Sequence, residues 1–361
     1  MTDSPLYPYV LQPKLTEAIW GGDSLTTQFG KAGDPSKKWG ESWECWDANV
    51  VLNGMLSGST LAQIRARLGT DFVGTDIDPT QIFPVLTKII TAQDWLSVQV
   101  HPDDAYAQRT EHQRNGKTEC WYVLDAEPNS ELVMGWARET SRKEYERRVA
   151  DGTLGEILQR VRVKAGDAFY IPAGRVHAIG AGIVLYETQQ ASDVTYRMFD
   201  WNRVGIDGKP RELHIQKAAD VLNYHKLPID HPLEGLTYAY EGFQRAALIA
   251  ESHFLVERVT ATETAASMNA HNRPLIITAL GESIELACAD GAATLWPYQT
   301  AVVPAAAKTV SVQTHGKPAP FISVMPSPTQ ESLQKRFADA GVAQKIIERF
   351  LDQFNPLSAV Q

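Results

Sequence analysis

Cysteine is scarce in this sequence: Cys45, Cys120 and Cys288 stand far apart among 361 residues, with no C-x-x-C pair. That excludes a disulfide framework and a thiolate metal site, and it fits a reducing, cytoplasmic setting. Also missing is any apolar run near the ~20 residues that a membrane span needs. The opening stretch MTDSPLYPYVLQPKLTEAIW has no basic segment ahead of an apolar core, so neither export nor membrane insertion is expected. Blocks of Lys and Arg are absent too. With 34 basic against 43 acidic residues the formal net charge is −9, which argues against nucleic acid or an anionic membrane as partner. An anionic substrate would have to be met by cations gathered at one place.

What the chain does have is 43% hydrophobic residues, enough for sizeable cores, in a length that suits roughly one to three domains. Short β-branched and aromatic runs dominate, such as VVLNGML, DAFYIPAG and GIVLYETQ, each punctuated by Gly, Pro, Asn or Asp. That rhythm predicts an all-β barrel or sandwich. Helices announce themselves by their caps. Thr60 with Gln63 precedes Leu61, Ile64 and Leu68 and stops at Gly69, while Ser141 with Glu144 and Thr153 with Glu156 repeat the pattern. From Thr329 onward two helices are expected, broken at Gly341, with Leu333, Phe337, Ile346, Phe350 and Phe354 as the buried stripe. The Pro/Leu-rich stretch NYHKLPIDHPLEG places a boundary near residue 225. Expected domains are 1–225 with a helical insertion at about 139–160, then 226–327, then a helical tail at 328–361. VKAGDAFYIPAGRVHAI and LWPYQTAVVPAAAKTVSV share a strand, a Pro followed by small residues, and a second strand, so the halves look like related barrels. The second copy has Thr309 or a neighbour where the first has His177.

Candidate chemistry gathers in the front half. LSVQVHPDDAYA puts Gln99 and His101 on one strand face, opposite Val98 and Val100. An isolated pair of this kind is most often hydrogen-bonded core. GKTECWYVL puts Lys117 and Glu119 two apart ahead of an apolar run, where an inward Glu needs a cation, a polar network or a raised pKa. Asp103 and Asp104, following a Pro, read as a turn or cap, and His214 as packing in a helical pattern.

GDAFYIPAGRVH, through Gly166, Pro172, Gly174 and His177, resembles the second motif of the cupin superfamily. The resemblance implies a mainly β fold of two cupin-like, jelly-roll barrels, the second degenerate and metal-free. His101, Glu119 and His177, with Gln99 nearby, form a nitrogen and oxygen set suited to one zinc ion. FPVLTKIITAQDWLSVQVHPDD, GKTECWYVL, IPAGRVHAI and YETQQASDVTYRMFDWNR together resemble, in order and spacing, type I mannose-6-phosphate isomerase, especially its short bacterial form. WGG at Trp20–Gly22, GESWE at Gly40–Glu44 and RELHIQKAADVL at Arg211–Leu222 extend the match.

That resemblance implies an aldose-ketose isomerase acting on a phosphosugar, as a monomer or homodimer. It places Gln99, His101, Glu119 and His177 around the zinc, Lys88, Ser97 and Lys117 along the sugar-phosphate pocket, and Glu187 and Arg197 beside the reacting carbons. In these roles Glu187 is the general base, Arg197 holds enediolate charge and Lys117 donates to an oxygen. Each has a plainer alternative: Lys88 as partner of Asp94, Arg197 paired with Asp193 or Asp200, Glu187 orienting His177. Two other classes fit the barrel, another metal-dependent cupin enzyme, either a different sugar isomerase or a dioxygenase, and a non-catalytic sugar-phosphate sensor.

Overall fold

The computed structural model describes residues 5–201, 203–205, 208–227, 231–262 and 264–354. The fold is mainly β, and its contacts divide the chain into two compact units. One gathers the chain up to Lys14 with Trp43–Thr87 and the chain from Glu234 onward; the other comprises Leu15–Ser42 and Lys88–Leu233.

The second of these units holds most of two antiparallel sheets. The larger runs in the order Lys14–Gly22, Trp39–Cys45, Val85–Ala92, Ile183–Gln190, Glu119–Ala126, Ala168–Ile171. The smaller runs Tyr196–Phe199, Val98–Val100, His177–Ile179, Glu131–Trp136, Leu158–Arg162. Residues two apart share a face, so Trp121, Val123, Phe169, Ile171, Met134 and Ile179 meet in one buried cluster. Val98, Val100, Val133 and Ala178 turn the other way, against Tyr145, Ala218 and Ala219 of two helices. Gln99 is thereby left facing away from the helices.

The other unit repeats this plan. Phe254–Ala261, Ala319–Pro326, Leu275–Ala279 and Thr300–Val303 lie side by side in the order that Val85–Ala92, Ile183–Gln190, Glu119–Ala126 and Ala168–Ile171 adopt. Ala265–Asn269, Thr309–Thr314, Ile284–Cys288 and Gly291–Leu295 likewise reproduce the smaller sheet. Registers fix the equivalences. Pro172 matches Pro304, so His177 matches Thr309, and Thr309 pairs Asn269 as His177 pairs Gln99. Glu119 pairs Ile171 as Leu275 pairs Val303. The places of Gln99, His101, Glu119 and His177 are therefore taken by Asn269, His271, Leu275 and Thr309.

Helices follow their caps with two corrections. Thr60 and Gln63 form a reciprocal capping box on Leu61–Leu68, and Ser141 caps Arg142–Ala150. Thr153 makes no side-chain cap, and only a single 3-10 turn, Leu154–Ile157, forms before the chain enters a strand at Leu158; the carboxylate of Glu156 pairs with Arg148 instead. In the tail, Gln330–Asp339 and Gln344–Asp352 flank Gly341 at φ +78. Leu333, Phe337, Phe350 and Phe354 are buried, but Ile346 is 51% exposed and Ile347 is fully buried. Ile346 lies at the edge of the face that Ile347, Phe350, Leu351 and Phe354 bury, so the expected stripe fails at that one position. Among the described residues no helix is long and apolar enough to cross a membrane.

Candidate metal centre and active site

Three strands and one corner bring the donor set together. Glu119 opens the strand Glu119–Ala126, His101 directly follows Val98–Val100, and His177 opens His177–Ile179 after the Pro172–Gly174 corner. Gly174 sits at φ +84, and a Cβ there would lie 2.9 Å from the Val221 carbonyl oxygen. Only glycine meets both demands.

Each of the three side chains is at most 1% exposed. His101 Nδ1–H donates to the Val194 carbonyl at 2.9 Å, and His177 Nδ1–H to the Arg175 carbonyl at 2.8 Å. A carbonyl can only accept, so both rings carry their proton on Nδ1 and turn a bare Nε2 inward. Those nitrogens lie 3.3 Å and 3.6 Å from different oxygens of Glu119. Lys117 Nζ stands 2.7 Å from Glu119 Oε1.

Glu119 Oε2 and His177 Nε2 have no hydrogen-bond partner among the described residues, and Glu119 Oε1 has the Lys117 ammonium as its ion-pair partner. Orphaned buried polar atoms are rare and call for a ligand. One cation would satisfy all of them, because the three ligand atoms lie within 4.8 Å of one another. The charge states agree. Burial, then the Lys117 charge, holds His101 below its ordinary value, and burial with His101 pushes His177 down to about 3. Burial acts to raise the Glu119 carboxyl, but Lys117 and His101 outweigh it and hold it well below the carboxylate range. Two neutral imidazoles and an ionised carboxylate are what a divalent zinc requires, with room for water or substrate.

A second buried carboxylate adjoins the first. Glu187 pairs Trp121 across neighbouring strands, and the indole N–H donates to its Oε2 at 2.8 Å. Lys88 lies 3.4 Å from Glu187 Oε1 and 3.7 Å from Glu41 Oε2. Burial and the nearby Glu119 charge raise the Glu187 carboxyl above its ordinary value, against the pull of Lys88 and Lys117. Burial also lowers the Lys88 ammonium, but Glu41 and Glu187 overcome it and the net shift is upward. Trp121 joins the two clusters, its ring meeting His177 edge-on at 5.3 Å.

Two of the remaining expected residues, Gln99 and Arg197, lie on the smaller sheet, and Ser97 directly precedes its strand Val98–Val100. Gln99 is half-buried and registers against both His177 and Arg197, and Ser97 is buried. Arg197 Nη1 donates to the Glu212 carbonyl at 2.9 Å, and its backbone N–H donates to His214 Nδ1 at 3.2 Å. Two acidic neighbours meet other cations. Asp94 accepts from Arg203 at 3.0 Å rather than from Lys88, and Asp200 is held by Arg203 at 2.9 Å and Arg211 at 2.5 Å. Asp103 is a cap, accepting from the Tyr106 N–H at 2.7 Å.

Sequence reasoning passed over Glu41, Trp121 and Gln189. Gln189 registers against Glu119, donates from Nε2 to the carbonyls of Gln190 and Ser192, and leaves its Oε1 without a hydrogen bond. Parity was the available signal, since Trp121 is two residues beyond Glu119 and Gln189 two beyond Glu187.

The sequence pattern described as "Phosphomannose isomerase type I, catalytic domain" matches residues 9–156. Mannose-6-phosphate isomerase of Streptococcus mutans is 40% identical over 253 residues, 69% of this chain and 77% of the relative. The chain belongs to the type I mannose-6-phosphate isomerase family. A Bacillus subtilis family member, mannose-6-phosphate isomerase ManA, is 42% identical over 64% of this chain and 72% of its own. The crystal structure of the mannose 6-phosphate isomerase from Bacillus subtilis superposes with a TM-score of 0.78 at 31% identity, covering 88% of this chain and 99% of that one. A zinc-bound mannose 6-phosphate isomerase, 15% identical with a TM-score of 0.71, covers 89% of this chain and shares the fold.

Proposed function

We propose that the chain is a zinc-dependent cytoplasmic isomerase that interconverts mannose-6-phosphate and fructose-6-phosphate through a cis-enediol. The observation that carries this reading is the pairing of a buried His101–Glu119–His177 donor set with a second buried carboxylate, Glu187, in one unit. Zinc held by His101, Glu119 and His177, with Gln99 beside them, supplies a Lewis acid toward the substrate oxygens.

The residues of the chain do the rest. Glu187 takes the proton from carbon 2 and returns it to carbon 1, while the proton of the carbon-2 hydroxyl passes to the carbon-1 oxygen through the enediol; burial makes Glu187 a better base than an exposed carboxylate. Arg197 and Lys117 meet the negative charge that develops on the oxygens. Lys88 and Ser97 are assigned to the phosphate. These cations answer the demand that an acidic protein makes of an anionic substrate. A dioxygenase has no use for three such cations, and a sensor none for a buried base. Residues 226–327 are proposed as a metal-free barrel, since Leu275 and Thr309 stand where Glu119 and His177 do, with 328–361 as its tail.

A coupled assay of the purified protein on mannose-6-phosphate tests the reading. Turnover should disappear with a chelator and return with added zinc. Absence of turnover by the zinc-loaded protein would overturn it.

A further inference from the structure

We propose that Trp121 is a positioning residue for Glu187, selecting which carboxylate oxygen receives the substrate proton; this rests on the reading of Glu187 as the base. Trp121 is fully buried, in a cluster otherwise built of apolar side chains. An indole N–H is a donor that cannot accept, and burying it without an acceptor is costly. Its acceptor here is Glu187 Oε2, at 2.8 Å.

The bond follows directly from strand register. Trp121 and Glu187 are Cα partners on adjacent strands, and both turn to the face that carries Glu119. The indole is itself wedged, edge-on to His177 at 5.3 Å and 77°. It therefore stands between His177 and the carboxylate, in contact with both.

Two consequences follow for the chemistry. Oε2 accepts from a group that does not give up its proton and has no lone pair to relay one, which favours Oε1, ion-paired with Lys88 at 3.4 Å and otherwise without a hydrogen-bond partner among the described residues, as the oxygen that takes the proton from carbon 2. The indole also fixes the carboxylate without adding a second positive charge to the one Lys88 supplies at 3.4 Å. A cation in the place of Trp121 would hold the group as well but would weaken it as a base.

The test is a double-mutant cycle with Trp121→Phe and Glu187→Ala, measured on the zinc-loaded proteins with mannose-6-phosphate. Trp121→Phe keeps an aromatic ring and removes the donor. It should bind zinc as the wild type does and lose about tenfold in kcat with KM nearly unchanged, the size expected for one hydrogen bond to a charged group. In the Glu187→Ala background the same substitution should cost nothing further, because its route of action is gone. A loss that multiplies in that background would show a merely structural role and overturn the inference, as would an unchanged kcat in zinc-loaded Trp121→Phe. Should Glu187→Ala itself retain wild-type turnover, the base reading falls and takes this inference with it. If Trp121→Phe does not fold, benzothienylalanine at position 121, equal in shape but lacking the N–H, carries the same expectation.

Discussion

Glu119 and Glu187 are both fully or nearly buried carboxylates on adjacent strands, yet their surroundings shift them in opposite directions. Glu119 faces two imidazole nitrogens and the Lys117 ammonium and is held ionised; Glu187 faces an indole and one lysine and is pushed toward protonation. Replacing Glu119 with Gln should lose zinc and activity together, because an amide is a far poorer ligand than a carboxylate. Replacing Glu187 with Gln should keep zinc, measured by metal analysis, while kcat falls by about 10²-fold or more with a smaller change in KM. Loss of zinc from the Glu187 variant would make that residue part of the metal site. The donors were legible in the sequence because period-two spacing and a Gly–Pro corner are local signals. Lys88 meeting Glu41 and Glu187 was not, since the strands that carry them, Trp39–Cys45, Val85–Ala92 and Ile183–Gln190, become neighbours only through sheet order. Trp121 was hidden for another reason: in a strand an indole reads as core until its N–H finds a carboxylate.

The C-terminal helix Gln330–Asp339 carries a charge into a barrel. Arg336 is 5% exposed and donates from Nη2 to Glu257 at 2.8 Å, while Arg245 reaches the same carboxylate at 3.0 Å. Glu257 faces inward with its partner Ser323, which touches Met268 of the opposite sheet. Replacing Arg336 with Met should cost about 3 kcal/mol in denaturant unfolding, the low end for a broken buried pair because Arg245 remains. Acid should expose the same network. Burial raises the Glu257 carboxyl, but Arg336, Arg245 and the Tyr238 hydroxyl outweigh it and its pKa is lowered. Because folding lowers this pKa, the stabilisation is whole above the ordinary glutamate value of 4.5 and is lost as pH falls through the folded value. Wild type should therefore lose more stability below about pH 4.5 than Glu257→Gln does, and equal losses would remove Glu257 from the account. Apolar spacing made the tail helices legible, but not which of two adjacent isoleucines the second helix buries. Ile347→Ala should cost about 2–5 kcal/mol as a core truncation and Ile346→Ala little, the reverse of what the expected stripe implies.

For the whole molecule, metal analysis should find about one zinc per chain rather than two, since the second barrel has Leu275 and Thr309 in the places of Glu119 and His177. Chelation should abolish turnover and leave the circular dichroism and thermal transition close to unchanged, because buried β cores rather than the ion carry most of the stability. The repeat was visible in the sequence only as a Pro followed by small residues between two strands. Its extent was not, because strand order is a long-range property that no short string records.

Arg336 bears on what this repeat can hold. Glu241, which accepts the Asn269 N–H at 3.2 Å, also holds Arg245 at 3.0 Å, so the arginines occupy the barrel end that matches the donor end of the first barrel. His271 stands there in the place of His101, but it is exposed where His101 is buried. Leu275→Glu and Thr309→His together would therefore not make a second metal centre, because the Arg336 and Arg245 guanidiniums already bring to that barrel the positive charge an ion would supply.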